Sequence, residues 1–110
     1  MTMDEKIDTF ELQGRIVTEL KNIYDPEIPA VNIYDLGLIY EVDVEEDGTA
    51  MVKMTLTAPN CPIADMIINE VDERIRNIPG VKDLDLVLTF DPPWDKSMMS
   101  EEAMLILGML

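Results

Sequence analysis

The chain has 110 residues, 47% of them hydrophobic and 28% charged, which is the size and balance of one globular domain rather than a disordered or fibrous segment. Its 23 acidic residues against 8 basic ones leave a net charge of -15, which repels phosphate backbones and anionic lipid and so excludes nucleic acid and membrane surfaces as partners. A single cysteine and no histidine exclude an internal disulfide, Cys-His and Ser-His-Asp catalysis, and every zinc site that uses histidine.

The N-terminal MTMDEK lacks the apolar stretch of a signal peptide, and with one cysteine this leads to the expectation of a cytoplasmic protein. Asp8 and Glu11 then have capping-box spacing, and Leu12, Ile16, Leu20 and Ile23 recur at three- and four-residue intervals, which predicts a helix over residues 9–23. Asp25-Pro26 stops it, because proline disfavours helical geometry in the residue before it, and Pro29 marks residues 25–37 as a loop.

From Leu38 the pattern alternates, with Leu38, Tyr40, Val42 and Val44 on one face and Glu41, Asp43 and Glu45 on the other. Asp47-Gly48 is a hairpin turn signal. Beyond it Val52, Met54 and Leu56 alternate with Met51, Lys53, Thr55 and Thr57, so two antiparallel strands are expected. Pro62 suits the first turn of a second helix, whose stripe is Ile63, Ile67, Val71 and Ile75, flanked by Met66 and Ile78. Pro79-Gly80 ends it, and Leu84, Leu86, Leu88 and Phe90 form the inward face of a third strand over residues 81–90.

The segment from Asp91 is irregular, with Trp94 expected to anchor it by packing. Ser100, Glu101 and Glu102 start a short, apolar terminal helix over residues 100–108. Without repeats or linkers, residues 1–110 form a single domain. Its order, helix-strand-strand-helix-strand-helix, implies an α+β, two-layer fold: a small three-stranded mixed sheet with helices packed on one face.

Chemistry gathers around Cys61, between the second strand and the second helix. Unpaired N–H groups and the helix dipole favour an anion at such a position, so the thiol is poised to ionise as a nucleophile or metal ligand. On position alone a small buried apolar cysteine is an equal alternative. Asp25 and Glu27 bracket Pro26, either to orient a ligand or simply to start a turn in solvent. Thr55 and Thr57 lead directly into the cysteine segment, where they are site residues or merely strand formers.

Three separated motifs, DPEIPAVNIYDLGLIYEV, TLTAPNCPIADMI and FDPPWDKSMMSEEAMLILG, resemble the metal-sulfur cluster assembly family that contains SufT and PaaD, and the resemblance spans nearly the whole chain. It implies an iron-sulfur assembly domain that serves as a maturation or targeting factor and not as an enzyme. It also implies a functional cysteine at Cys61, with Asp25, Glu27, Thr55 and Thr57 as the supporting site.

One thiol cannot hold a cluster that needs about four ligands. A transient iron-sulfur cluster or iron at Cys61 therefore has to be completed from outside the chain, by a second subunit in a homodimer, a small thiol or a client cysteine. The expected partners are iron-sulfur assembly proteins and client apoproteins. A metal-free adaptor that docks clients is the alternative, including a PaaD-like accessory role in maturing a ring-oxygenating enzyme complex. An enzyme using Cys61 with Asp25 or Glu27 as base is the weakest reading, since carboxylates match a thiol poorly.

Overall fold

The computed structural model describes residues 8–26, 28–57 and 64–109. Helix α1 spans Thr9–Leu20; Asp8 accepts the Glu11 N–H at 3.1 Å, and Leu12, Ile16 and Leu20 form its buried stripe. It ends a turn earlier than the periodicity suggests. Ile23 is buried beyond the helix end, where its carbonyl accepts the Ile33 N–H at 2.8 Å.

That bond introduces a feature the sequence reading missed. Residues 25–37 are not all loop: β1 (Tyr24–Asp25) and β2 (Ile28–Asn32) pair antiparallel, with Tyr24 opposite Asn32, Asp25 opposite Ile28, and a register shift between them. Pro26 and Pro29 break the alternation that would have advertised these strands, and both prolines are exposed, where the lack of an N–H costs nothing. A turn closed by Asn32 follows, its side chain accepting the Asp35 N–H at 2.8 Å.

Strands β3 (Ile39–Val44) and β4 (Thr49–Met54) form the expected hairpin. Its turn is closed by Asp47, which accepts the Thr49 N–H at 2.9 Å, with Gly48 at φ 97. Helix α2 (Ala64–Arg76) then returns the chain to β5 (Asp83–Leu88), which lies parallel to β4, with Ala50 opposite Leu84, Val52 opposite Leu86 and Met54 opposite Leu88. The sheet order is β3-β4-β5, and it is mixed as expected.

Helices α1 and α2 cover one face of this sheet. Their buried residues, among them Ile16, Leu20, Ile67, Val71 and Ile75, meet Val44, Ala50, Val52, Met54 and Leu84 in one core. Helix α3 (Glu101–Ile106) instead sits against β2; Ser100 accepts the Ala103 N–H at 3.0 Å at its start. Among the described residues no helix is long and apolar enough to cross a membrane.

A second layer forms over the chain turn before β3. The Trp94 indole N–H donates to the Leu36 carbonyl at 2.7 Å, which makes Trp94 the expected anchor. The Ser100 N–H reaches the Asp35 carbonyl at 2.9 Å, and the Tyr40 hydroxyl donates to the Pro92 carbonyl at 2.8 Å. Tyr40 is free to do so because it is the extra residue of a bulge between Ile39 and Glu41, not a regular member of the core face.

Three surface carboxylates stabilise turns or the start of a strand in their charged form. Asp47 is held below its ordinary value of 3.8 by the Thr49 backbone N–H and hydroxyl. Asp83 is lowered by the Leu84 N–H and then Arg76, and Asp95 by the Ser97 hydroxyl and N–H. A carboxylate whose folded value is depressed contributes stability above its unfolded value, and that contribution is lost as pH falls through the folded one. Urea midpoints should therefore fall below pH 3.8 more steeply in the native chain than in a triple Asp47→Asn, Asp83→Asn, Asp95→Asn variant. Equal slopes would show that these sites do not depend on the charges.

Candidate functional site

The β4-α2-β5 unit is a crossover between parallel strands, and the carboxyl ends of such strands are where α/β sheets place ligands. Here those ends are Met54 through Thr57 and Leu88 through Phe90. The chain between Thr57 and Ala64 carries Cys61, which lies outside the described residues, as does Glu27.

Thr55 is the feature of the described part that local packing does not explain. Alternation puts it on the face away from the core, yet it is fully buried, and its N–H donates to the Leu38 carbonyl at 2.8 Å. Its hydroxyl is sealed from solvent with no hydrogen-bond partner among the described residues. A buried polar group in that state costs about 1–3 kcal/mol, and a valine of the same shape would not incur it. Such an orphan calls for an explanation beyond packing, either a role in the site or an ordered water that completes it. Thr57, two residues on, is half-buried.

Thr55→Val should raise stability by about 1–2 kcal/mol in urea unfolding. A loss of similar size would mean instead that the hydroxyl is satisfied in solution.

Asp25 does not behave as a solvated turn starter: it is 4% exposed, which an ordinary Asp-Pro turn does not require. Backbone hydrogen bonds tie its strand to the end of β4. The Ile33 N–H reaches Ile23, the Leu38 N–H reaches Ile33 at 3.1 Å, and the Thr55 N–H reaches Leu38. The first and second motifs thus belong to one hydrogen-bonded unit that contains both buried polar residues, Asp25 and Thr55. Among the described residues no three carboxylate or other ligating side chains gather to hold a metal ion.

Concavities lie elsewhere. A groove of about 890 Å³ runs between α1 and α2, with Gly14, Ile78 and Pro79 on its walls. Its rim carries Arg74, bonded to Glu19 at 3.1 Å and Glu70 at 2.9 Å, and the hydrogen bond it donates to Glu19 is the main cause that raises the guanidinium's pKa. It sits at the C-terminal end of α2, away from the strand ends named above. A second hollow, about 540 Å³, lies between Tyr40, Lys53, Asp91 and Met98, where the Trp94 layer meets the sheet. Sequence reasoning missed it because it depends on the Tyr40 bulge, which has no periodic signal.

The sequence model described as iron-sulfur cluster assembly protein matches residues 13–85. A Porphyromonas gingivalis Fe-S protein maturation auxiliary factor is 61% identical over 86% of this chain and 90% of its own length. The Fe-S protein maturation auxiliary factor SufT of Staphylococcus aureus is 40% identical over 78% of this chain and 97% of its own. Among solved structures, the crystal structure of a domain of unknown function, DUF59, from Bacillus anthracis superposes with a TM-score of 0.84 at 32% identity, covering 93% of this chain and 96% of that one. With a match over most of its length, relatives that share its extent and a common fold, the chain belongs to the iron-sulfur cluster assembly protein family, among its SufT-like maturation auxiliary factors.

Proposed function

We propose that this chain matures iron-sulfur proteins by receiving iron or an iron-sulfur cluster transiently at Cys61 and releasing it to a client apoprotein, without catalysing a reaction of its own. The cargo is a substrate of this process. Thiolates are the soft ligands that iron-sulfur clusters require, and this chain has one cysteine, so the remaining ligands come from a second subunit, a small thiol or the client. One bond to the chain is easily exchanged, which suits a donor better than a resident site.

The observation that carries the reading is the orphaned hydroxyl of Thr55, in a strand end that runs into the cysteine segment, in a chain whose relatives are maturation auxiliary factors. Asp25 and Thr57 belong to the same supporting unit in this reading, and Glu27 joins them from the first motif. Anaerobic reconstitution with iron and sulfide, counted per chain, tests it against Cys61→Ala. Equal uptake by the two proteins would refute it.

A second reading has a specific observation in its favour. Helix α3 buries Ala103, but Leu105 and Ile106 are 66% and 56% exposed, and Met109 beyond it is 44% exposed. Apolar side chains grouped in this way suit an adaptor that docks assembly factors and clients without holding metal, a PaaD-like accessory role included.

A further inference from the structure

The outer edges of the three-stranded sheet are treated differently. On β3, one outward-facing backbone group of each of two residues is occupied by a side chain: the Val42 carbonyl accepts the Gln13 side-chain amide at 2.7 Å, and the Val44 N–H donates to Asp43 at 3.0 Å. The bulge at Tyr40 distorts the rest of that edge. A strand edge left open is a template for pairing with another chain, and these are the usual means of closing it.

On β5 only the first outward residue is closed. The Leu84 N–H donates to Asp83 at 2.9 Å, and its carbonyl accepts Arg76 at 3.0 Å. Arg76 is itself fixed by Asp72 and Asp83, both at 2.9 Å. Outward groups recur at every second residue, and the Thr89 N–H, turned inward to the Met54 carbonyl at 2.9 Å, fixes that parity. The N–H and C=O groups of Leu86 and Leu88 therefore face out, and no hydrogen bond occupies them among the described residues. The side chains alongside are unusually bare for an expected core face: Leu88 is 40% exposed and Phe90 38%.

We infer that the β5 edge from Asp85 to Leu88 receives an extended segment of a partner protein, which adds a fourth strand to the sheet. The two faces of β5 specify the chemistry of that segment. Residues on one face of the added strand lie beside Leu86 and Leu88, with Phe90 just beyond the strand, and those on the other beside exposed Asp85 and half-buried Val87. Apolar residues on the first face and a lysine or arginine opposite Asp85 on the second fit both. A second copy of this chain fits poorly, because it would bring another Asp85 to the seam and another net charge of -15 to the surface. The inference stands apart from the role of Cys61.

The probe is a blocked eight-residue peptide alternating lysine and valine, titrated into the isotope-labelled full chain and followed by backbone amide NMR. Shifts should centre on residues 85–88, and amide exchange at Leu86 and Leu88 should slow at least tenfold at saturation. Leu88→Pro, which removes one outward donor and leaves the β4 ladder intact, should weaken binding at least tenfold. The same peptide N-methylated throughout tests the pairing without altering the protein, and should bind at least tenfold more weakly. A glutamate-valine peptide should not bind, and Cys61→Ala should bind like the native chain. Equal affinity for the N-methylated peptide, shifts centred on the α1-α2 groove, or loss of binding in Cys61→Ala would each overturn the inference. Occupation of the same amides in the free chain by self-association would overturn it in favour of a second copy.

Discussion

Gly37→Ala is expected to cost the fold about 3 kcal/mol or more, seen as a drop in urea midpoint and loss of the near-ultraviolet signal of the single tryptophan. Gly37 has φ 84, a conformation that costs an alanine about 1–2 kcal/mol by itself. The larger part is steric. A Cβ there would collide with the Met98 carbonyl oxygen and lie 2.8 Å from its carbon and 2.9 Å from the Met98 Cβ. Backbone cannot swing aside as a side-chain tip does, and the Met98 segment is held on both flanks by the Trp94–Leu36 and Ser100–Asp35 bonds and by buried Met99. To relieve the clash, the layer over the turn has to come off.

Gly108→Ala is the matched control. It also has a positive φ, 73, but nothing lies within 4 Å of its Cβ position, so only the conformational cost of about 1 kcal/mol remains. If the two variants lose equal stability, the close approach of Met98 to Gly37 is not a constraint in solution.

The second large effect is on function. Cys61→Ala should reduce transfer of iron-sulfur clusters to an apoprotein by at least tenfold while leaving the thermal midpoint within a degree or two. A lone thiolate ligand has no substitute elsewhere in a chain with one cysteine and no histidine. Truncation after Lys96 separates this from the adaptor reading. If docking through α3 is the whole function, the truncated chain loses client maturation and Cys61→Ala keeps it. Because Met99 and Ala103 are buried, the truncation also removes core contacts, so Ile106→Lys, at an exposed position, is the cleaner variant. Retention of full activity by Cys61→Ala would end the carrier reading.

Thr55→Val links stability to the site. A variant that gains stability and loses maturation identifies a hydroxyl retained at a thermodynamic cost for what it does. A variant that gains stability and matures clients normally makes Thr55 a packing residue with an unused oxygen. The stability half can be read before any client is known.

Some of this was legible in the sequence for a plain reason: where neighbours along the chain decide the outcome, periodicity reports it. Asp8 capping Leu12, Ile16 and Leu20, the Asp47-Gly48 turn, and the stripe of Ile67, Val71 and Ile75 are of this kind. They fixed the order of the main elements, the mixed sheet and its one covered face. Trp94 as an anchor was legible as well. The candidate site was legible as a set of residues through the three family motifs, but not as an arrangement; Cys61 and Glu27 lie outside the described residues, and Asp25 proved buried where a plain turn starter was the alternative, as did Thr55 on the strand face opposite the core.

What the tertiary structure alone decided are the features set by contacts between distant segments. The β1-β2 ribbon forms because Ile33 finds Ile23 at the end of α1, and no alternation announces it across two prolines. Thr55 is buried although its strand parity points it outward, and Leu88, Phe90 and Met66 are exposed although their apolar character points them inward. Periodicity says which side of its own element a residue occupies. It cannot say whether another element arrives to cover that side, and in this protein that second fact determines both the orphaned hydroxyl beside the cysteine segment and the open edge of β5.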